Sequence, residues 1–472
     1  MVSLNHATTI RTELESFIER EALSFSQLGR LAGLNAGTVS SIMKGNRIMA
    51  VDQLDRMTAV LGHDQGHFYE QYIQECMVEA VPNWRRVKPF LYRCAELDKL
   101  NCIKQILPLL LDNLTYSPLL FEVAEDFFTE GKHAAAALLY ESVALSERRQ
   151  HSERLAFCQY RLFTLRLSDN QEDNLQCALQ FEPFVDRLDE IDQLDALRDL
   201  ANTYRSLRRW DKVERIAEEM GRLAEIQLAA PSQPSRAREE SCKKPKKPLF
   251  VYLAFSYLLR GSVCNARGDH EQELQYTYAY QDLSWVKETD EETLHWLTLY
   301  KGWAEANMYV SKLMRGDESV LADYVAYIEQ NKDELLVGLL NITEAANLFD
   351  LNVDHILQFF DSEINGYMQI RHQEAVGVYT KQVVSEQHAR FLYGVAHYYL
   401  RQGLYLMGFE YLLASLSTSS LINNETRILT CVRLFEKYRA LASQETQNRY
   451  QNLLKEEEEE HEKKIGIPVG RS

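Results

Sequence analysis

The sequence predicts an all-α protein in two unequal parts, and three observations carry that prediction. Apolar residues recur at helical spacing along almost the whole chain, with no sustained alternation of the kind a half-buried strand requires. Only 10 prolines fall in 472 residues, so long stretches run without a helix breaker. Between residues 22 and 62 the pattern tightens into short amphipathic segments around a glycine, whereas beyond residue 65 longer segments follow one another.

The elements are read in order. Ile10, Leu14, Phe17 and Ile18 supply the apolar face of an opening helix over residues 10 to 18. Leu28, Leu31 and Ala32 share one face of a second helix, which Gly33 can stop by taking a positive φ. Asn35 can cap a third, whose inner face is Val39, Ile42 and Met43. A fourth, through Val51, Leu54, Met57, Ala59 and Leu61, closes a small core.

The outer side of the third helix carries Ala36, Thr38, Ser40, Ser41 and Lys44, short enough for the backbone to press into a major groove before polar tips meet base edges. Asn35 starts that helix, and Gln27, Lys44, Asn46 and Arg47 suit phosphate contacts. The run Ser26-Gln27, Leu28, Ala32, Gly33, Thr38-Val39-Ser40, Ile42, Lys44-Gly45-Asn46-Arg47, Leu54, Leu61-Gly62 resembles the Xre/Cro-type helix-turn-helix of bacterial and phage regulators. The resemblance covers residues 1–65 and implies binding to a double-stranded DNA operator. Residues 1 to 80 hold 6 Lys and Arg against 10 Asp and Glu, so no broad basic surface is expected. Modest affinity per domain then calls for a homodimer on two half-sites.

The whole chain carries a formal charge of -17, which fits a local DNA contact and an otherwise acidic body better than nucleic acid or membrane bound along its length. Eight cysteines without CxxC spacing read as reduced core thiols rather than metal ligands or disulfides. No apolar run approaches the length of a membrane span, and no secretory segment is recognised, so a cytoplasmic protein with no membrane contact is expected. HExxH, GxSxG, Walker and Rossmann fingerprints are absent, and neither a catalytic role, a metal nor a cofactor is expected.

Beyond residue 65 a repeat is legible. Ala124, Phe127, Gly131, Ala136 and Tyr140 stand at the offsets of a tetratricopeptide repeat, in which a small residue admits the paired helix, an aromatic fills the gap and a glycine turns the chain. The ladder recurs at Ala201, Tyr204, Arg208, Val213 and Ala217, at Gly261, Cys264 and Gly268, and at Ala396, Tyr399, Gly403 and Gly408. The expected fold is therefore an N-terminal helix-turn-helix domain followed, over residues 66–455, by a right-handed tetratricopeptide-like α-superhelix of seven to nine helix pairs. Residues 229–248, with four prolines (Pro231, Pro234, Pro245, Pro248) and few apolar side chains, read as a mobile basic loop, and 456–472 as a charged, disordered tail.

Three times the repeats write alanine, asparagine, any residue, aromatic: around Asn202, Asn307 and Asn347. In the repeat register these asparagines fall on the concave side, where a side-chain amide can clamp the backbone of an extended peptide. Arg198 and Arg205 flank Asn202 and suit a carboxylate, while Tyr300 and Trp303 flank Asn307 and suit an apolar side chain. Asn265, Tyr393 and His397 can face the same groove.

This order of parts is similar to the RRNPP peptide-pheromone receptors of Gram-positive bacteria and their phages. The resemblance implies a quorum-sensing transcription regulator, homodimeric through its repeats, switched by a short linear signalling peptide. Asn202, Asn307 and Asn347 would be its backbone clamps. A second reading stays open, in which the repeats hold a protein partner rather than a peptide.

Overall fold

The structure is a computed structural model that describes residues 9–78, 82–111, 113–150, 152–230, 244–369 and 380–465. Every regular element among them is helical, and the chain divides into two compact units, Met1–Leu165 and Arg166–Ser472.

The first unit begins with α1 (Ile10–Arg20), α2 (Phe25–Leu31), α3 (Ala36–Met43) and α4 (Val51–Val60). Of their predicted inward stripes Leu14, Leu28, Val39, Ile42, Leu54 and Met57 are buried together, whereas Leu31, 61% exposed, and Ala59 face outward. These four helices do not end a free-standing bundle. The π-turn Gln74–Val78 that follows α5 (Tyr69–Ile73) brings Glu75 Oε1 within 2.8 Å of the Ile10 amide, one of the orphan donors at the start of α1. Asp55 on α4 accepts from Tyr69 and from Arg93 on α6 (Trp84–Glu96), both at 2.8 Å. The unit continues through α7 (Leu100–Leu111), α8 (Tyr116–Thr129), α9 (His133–Ser146) and α10 (Glu153–Arg166). Ala124, Phe127, Ala136 and Tyr140, the residues of the first repeat ladder, are all fully buried.

The second unit runs α11 (Gln171–Phe181), α12 (Glu190–Ser206), α13 (Trp210–Ala229), α14 (Leu249–Arg267), α15 (His270–Gln281), α16 (Glu291–Leu313), α17 (Leu321–Gln330) and α18 (Leu335–Phe349). After the short α19 (Asp354–Phe359) and α20 (Asp361–Gln369) come α21 (Lys381–Arg401), α22 (Tyr405–Leu421), α23 (Glu425–Tyr438) and α24 (Gln444–Ile465). Helices from α11 to α17 pack mainly on their chain neighbours, as do α21 to α23, whereas α18 packs mainly on α21, which also reaches α12. The unit therefore returns on itself: the Gln171 amide at the start of α11 donates to Ile422 O at the end of α22, 2.8 Å away.

Where α18 meets α21 the backbones come close. A Cβ on Gly394 would stand 2.8 Å from Thr343 Oγ1, and only the missing side chain admits the contact. Helix α14 is long and apolar enough to cross a membrane by composition, but two-thirds of its apolar window (67%) is buried inside the protein, the burial of a core helix. Cys94, Cys102, Cys158, Cys264 and Cys431 are free and buried, and Cys76 and Cys177 half-buried. Cys242 and most of the expected basic loop, residues 231–243, lie outside the described residues. Helix α24 carries the charged run to Ile465, past the residue 455 at which order was expected to end. Glu and Lys are good helix formers, which lets the charged run stay helical. Residues 466–472 lie outside the described residues.

Candidate functional site

The turn between α2 and α3 is built almost wholly from neighbours in sequence. Ser24 and Gln27 form a capping box: Ser24 Oγ accepts from the Gln27 amide at 3.3 Å, and Gln27 Oε1 accepts from the Ser24 amide at 2.8 Å. Gln27 thus spends its side-chain oxygen on the helix start. Gly33 holds φ at +64°, and its carbonyl accepts from Arg56 Nη1 at 3.1 Å. Asn35 Oδ1 caps α3 through the Thr38 amide at 2.7 Å.

Beside these expected features stands one the sequence reading passed over. A Cβ on Gly29 would lie 2.6 Å from Leu34 O, a backbone atom with no freedom to move aside, so the close approach of α2 to the turn depends on that glycine.

On the outer face Gln27, Asn35, Ala36, Lys44, Asn46 and Arg47 are exposed and Thr38, Ser40 and Ser41 half-buried. All nine expected contact residues thus sit on or next to this one turn and its second helix. Arg11, on α1, was not foreseen there; its guanidinium reaches within 3.2 Å of where a Gly45 Cβ would be, adding a cation at the end of α3. Nothing in the local sequence announces it, since α1 reaches the site by tertiary packing.

The second unit holds a cleft among α12, α14, α15, α16, α18 and α21 that encloses about 1160 Å³ counted to its open mouth. Of the nine expected groove residues it takes in Arg205, Asn265, Trp303 and Asn307. Trp303 Nε1 donates to Glu334 Oε1 at 2.6 Å. Asn307 Nδ2 donates to the Tyr280 hydroxyl at 2.6 Å, and Asn265 Nδ2 to Glu273 Oε1 at 3.0 Å. Asn341, not foreseen, joins them with its Nδ2 on the Tyr324 hydroxyl at 3.1 Å. In each amide one N–H of the NH2 group is engaged by the protein.

The other five expected residues stand elsewhere. Asn202, one turn before Arg205 on α12, is 1% exposed. Asn347 Nδ2 donates to Gly394 O at 2.8 Å, stapling α18 to α21 at their closest approach. Arg198 pairs with Asp195 and Asp199 along α12, at 3.2 and 2.8 Å. Tyr300 is fully buried, its hydroxyl on Val251 O at 2.9 Å. His397 stacks with Tyr393, ring centroids 6.1 Å apart, and burial pushes its pKa down, helped by Arg401 and Lys437. The aromatic of the third triplet, Phe349, is 37% exposed rather than core.

Charge is concentrated in the cleft. Arg390 donates through Nε to Glu344 at 3.1 Å, and Glu386, on the same helix one turn earlier, lies 3.8 Å from both Arg390 and Arg208. Burial pushes the carboxyls of Glu273 and Glu334 up, against the lowering effect of their hydrogen-bond donors. The i, i+4 spacing of Glu386 and Arg390 is legible in the sequence; that they face a cleft is not.

A scan against protein-family models gave no match to this chain, and a search of curated proteins found no relative.

Proposed function

We propose that this chain is a transcription regulator that reads an operator through α3 and takes a short linear peptide in the cleft of its second unit, as the RRNPP receptors it resembles do. The observation that carries the reading is the α2–α3 pair. Its tight turn is secured by Gly29, Gly33 and two side-chain caps, and small polar residues beside Lys44, Arg47 and Arg11 form its outer face. The shape suits a major groove, and cations at the helix end suit the phosphates that border it. The cleft supports the peptide half. Three carboxamides whose nitrogens are tied to tyrosine or glutamate present acceptors to the N–H groups of an extended backbone, and Trp303 offers an apolar wall.

A peptide would act by binding one curvature of the helical unit better than another; equal affinity for both would change nothing. The burial of Asn202 and the use of Asn347 as a helix staple favour the second reading, in which the cleft receives a loop of a protein partner.

Operator duplexes selected from a random pool should bind the full chain, and Lys44→Ala with Arg47→Ala should lower the slope of log affinity against log salt by about 2, roughly 0.9 per lost phosphate contact. An unchanged slope sinks the DNA half. For the cleft, synthetic five- to ten-residue peptides, taken from any short reading frame found beside the gene, are titrated into the chain and into Asn307→Ala. Binding weakened about tenfold by the substitution supports the peptide reading, at the 1.4 kcal/mol a good hydrogen bond contributes. No binding by any candidate shifts the reading to a protein partner.

A further inference from the structure

Next to the peptide cleft, and sharing Arg208 and Glu386 with it, a second opening lies where α11, α23 and the α12–α13 turn meet. Its charged lining is Arg208, Arg209, Arg427, Glu172, Glu386 and Glu425. The two glutamates in the first turns of α11 and α23 are exposed, so their charge is largely screened by water. Glu386 is buried with its Oε1 lacking a hydrogen-bond partner among the described residues, and at 3.8 Å it is an ion-pair neighbour of Arg208 beyond hydrogen-bond reach. Arg427 lies over the Tyr393 ring at 5.0 Å, and its Nε is buried with no acceptor among the described residues. Two helix starts, capped by Asn170 and Asn424, face the same opening and add the positive ends of their dipoles.

Arg208 also carries a backbone oddity. It follows the end of α12 at φ +54°, the left-handed region where glycine or asparagine is usual, so the chain keeps an arginine at a strained position. Burial pushes its guanidinium pKa down, with Arg390 and Arg427 acting the same way and Glu386 and Glu344 the other.

We infer that this opening is an oxyanion subsite in which Arg208 and Arg427 grip a carboxylate or phosphate through their unspent N–H donors. The inference rests on the peptide reading of the adjoining cleft, because Arg208 and Glu386 line both openings and a peptide lying in the first would carry its terminal carboxylate to the second. Two planar guanidinium forks suit an oxyanion, and the partial desolvation of Arg208 strengthens the contact.

The test is calorimetric titration of the full chain with inorganic phosphate at fixed ionic strength, with chloride as reference. Saturable binding is expected, weakened about tenfold or more by Arg208→Gly and by Arg427→Gln, as loss of a charge-assisted contact implies. Arg208→Gly should at the same time melt no lower than the parent, since glycine relieves the φ strain, so a loss of binding there cannot be a loss of fold. Alanyl-alanine as the free acid, but not as the amide, should compete with phosphate. Phosphate binding without that competition keeps the oxyanion site and assigns it to a free phosphate. No saturable binding, or equal affinity in both variants, overturns the subsite. Phosphate titrates this opening whether or not any peptide enters the cleft, so failure of the peptide reading and failure of this one are told apart.

Discussion

The α2–α3 turn and the cleft of the second unit are held by opposite kinds of contact. In the turn, the caps join residues three apart, Ser24 with Gln27 and Asn35 with Thr38, and Arg56 adds one bond to Gly33 O from 23 residues on. In the cleft they are farther apart, Asn341 with Tyr324 at a separation of 17, Asn307 with Tyr280 at 27 and Trp303 with Glu334 at 31. A local motif is a property of a short sequence, since caps and positive-φ glycines act on their own neighbours. A cleft is a property of packing, because which face of a helix is concave is decided by helices that arrive much later in the chain.

The largest effect expected from breaking this contrast is at Gly29. Gly29→Val places a side chain against Leu34 O, which cannot yield without opening the turn. The cost should be about 3 kcal/mol, the upper range for overpacking against a rigid neighbour, read as a fall in the denaturant midpoint at constant m. Operator binding should be lost with it. A variant that unfolds like the parent would show that the turn is looser than its contacts imply.

That glycine also marks what the sequence made legible. The helix boundaries, Gly33 as the stop and Asn35 as the cap could all be read, because each obeys a rule about adjacent residues. The asparagine triplets could not be placed by the same means. Asn307, with Trp303 one turn before it, lines the cleft, whereas Asn347 occupies the same place in its triplet and meets α21 instead. Repeat register predicts a helix face, but the face is concave only where no later helix covers it. Arg208, Glu386 and Arg390 were hidden for the same reason: α12 and α21 are brought together by the return of the unit on itself. The all-α character needed none of this and was fully legible.

Asn347→Ala tests that distinction at a smaller scale. The change removes the hydrogen bond to Gly394 O, but it also removes Asn347 Oδ1, a buried oxygen with no partner among the described residues. Those terms oppose each other, so the net loss should be about 1 kcal/mol, the ordinary worth of one buried hydrogen bond. Stability should fall while the affinity of any cleft ligand stays within twofold, the reverse of the pattern expected at Asn307. Equal loss of ligand affinity at both positions would restore Asn347 to the cleft.

The smallest effect is a pH dependence at Glu334, and it sharpens the contrast because only long-range burial creates it. Desolvation raises the folded-state pKa of this carboxyl, while the Trp303 indole and Arg205 act in the lowering direction. A carboxyl with a raised folded pKa binds its proton more tightly in the fold than in the unfolded chain. Its contribution to stability is therefore fully present below the unfolded value of about 4.3 and is lost as pH rises through the folded value. Glu334→Gln supplies a permanently neutral group that can still accept from Trp303 Nε1. The stability difference between variant and parent should grow in the variant's favour as pH rises from about 4.3 and level off above the folded pKa. The slope, not the offset, is the readout, since the new amide can add a pH-independent cost of its own. A difference flat across that window would mean that Glu334 is as well solvated as a surface carboxylate, and that the cleft is open to water at the point where Trp303 closes it.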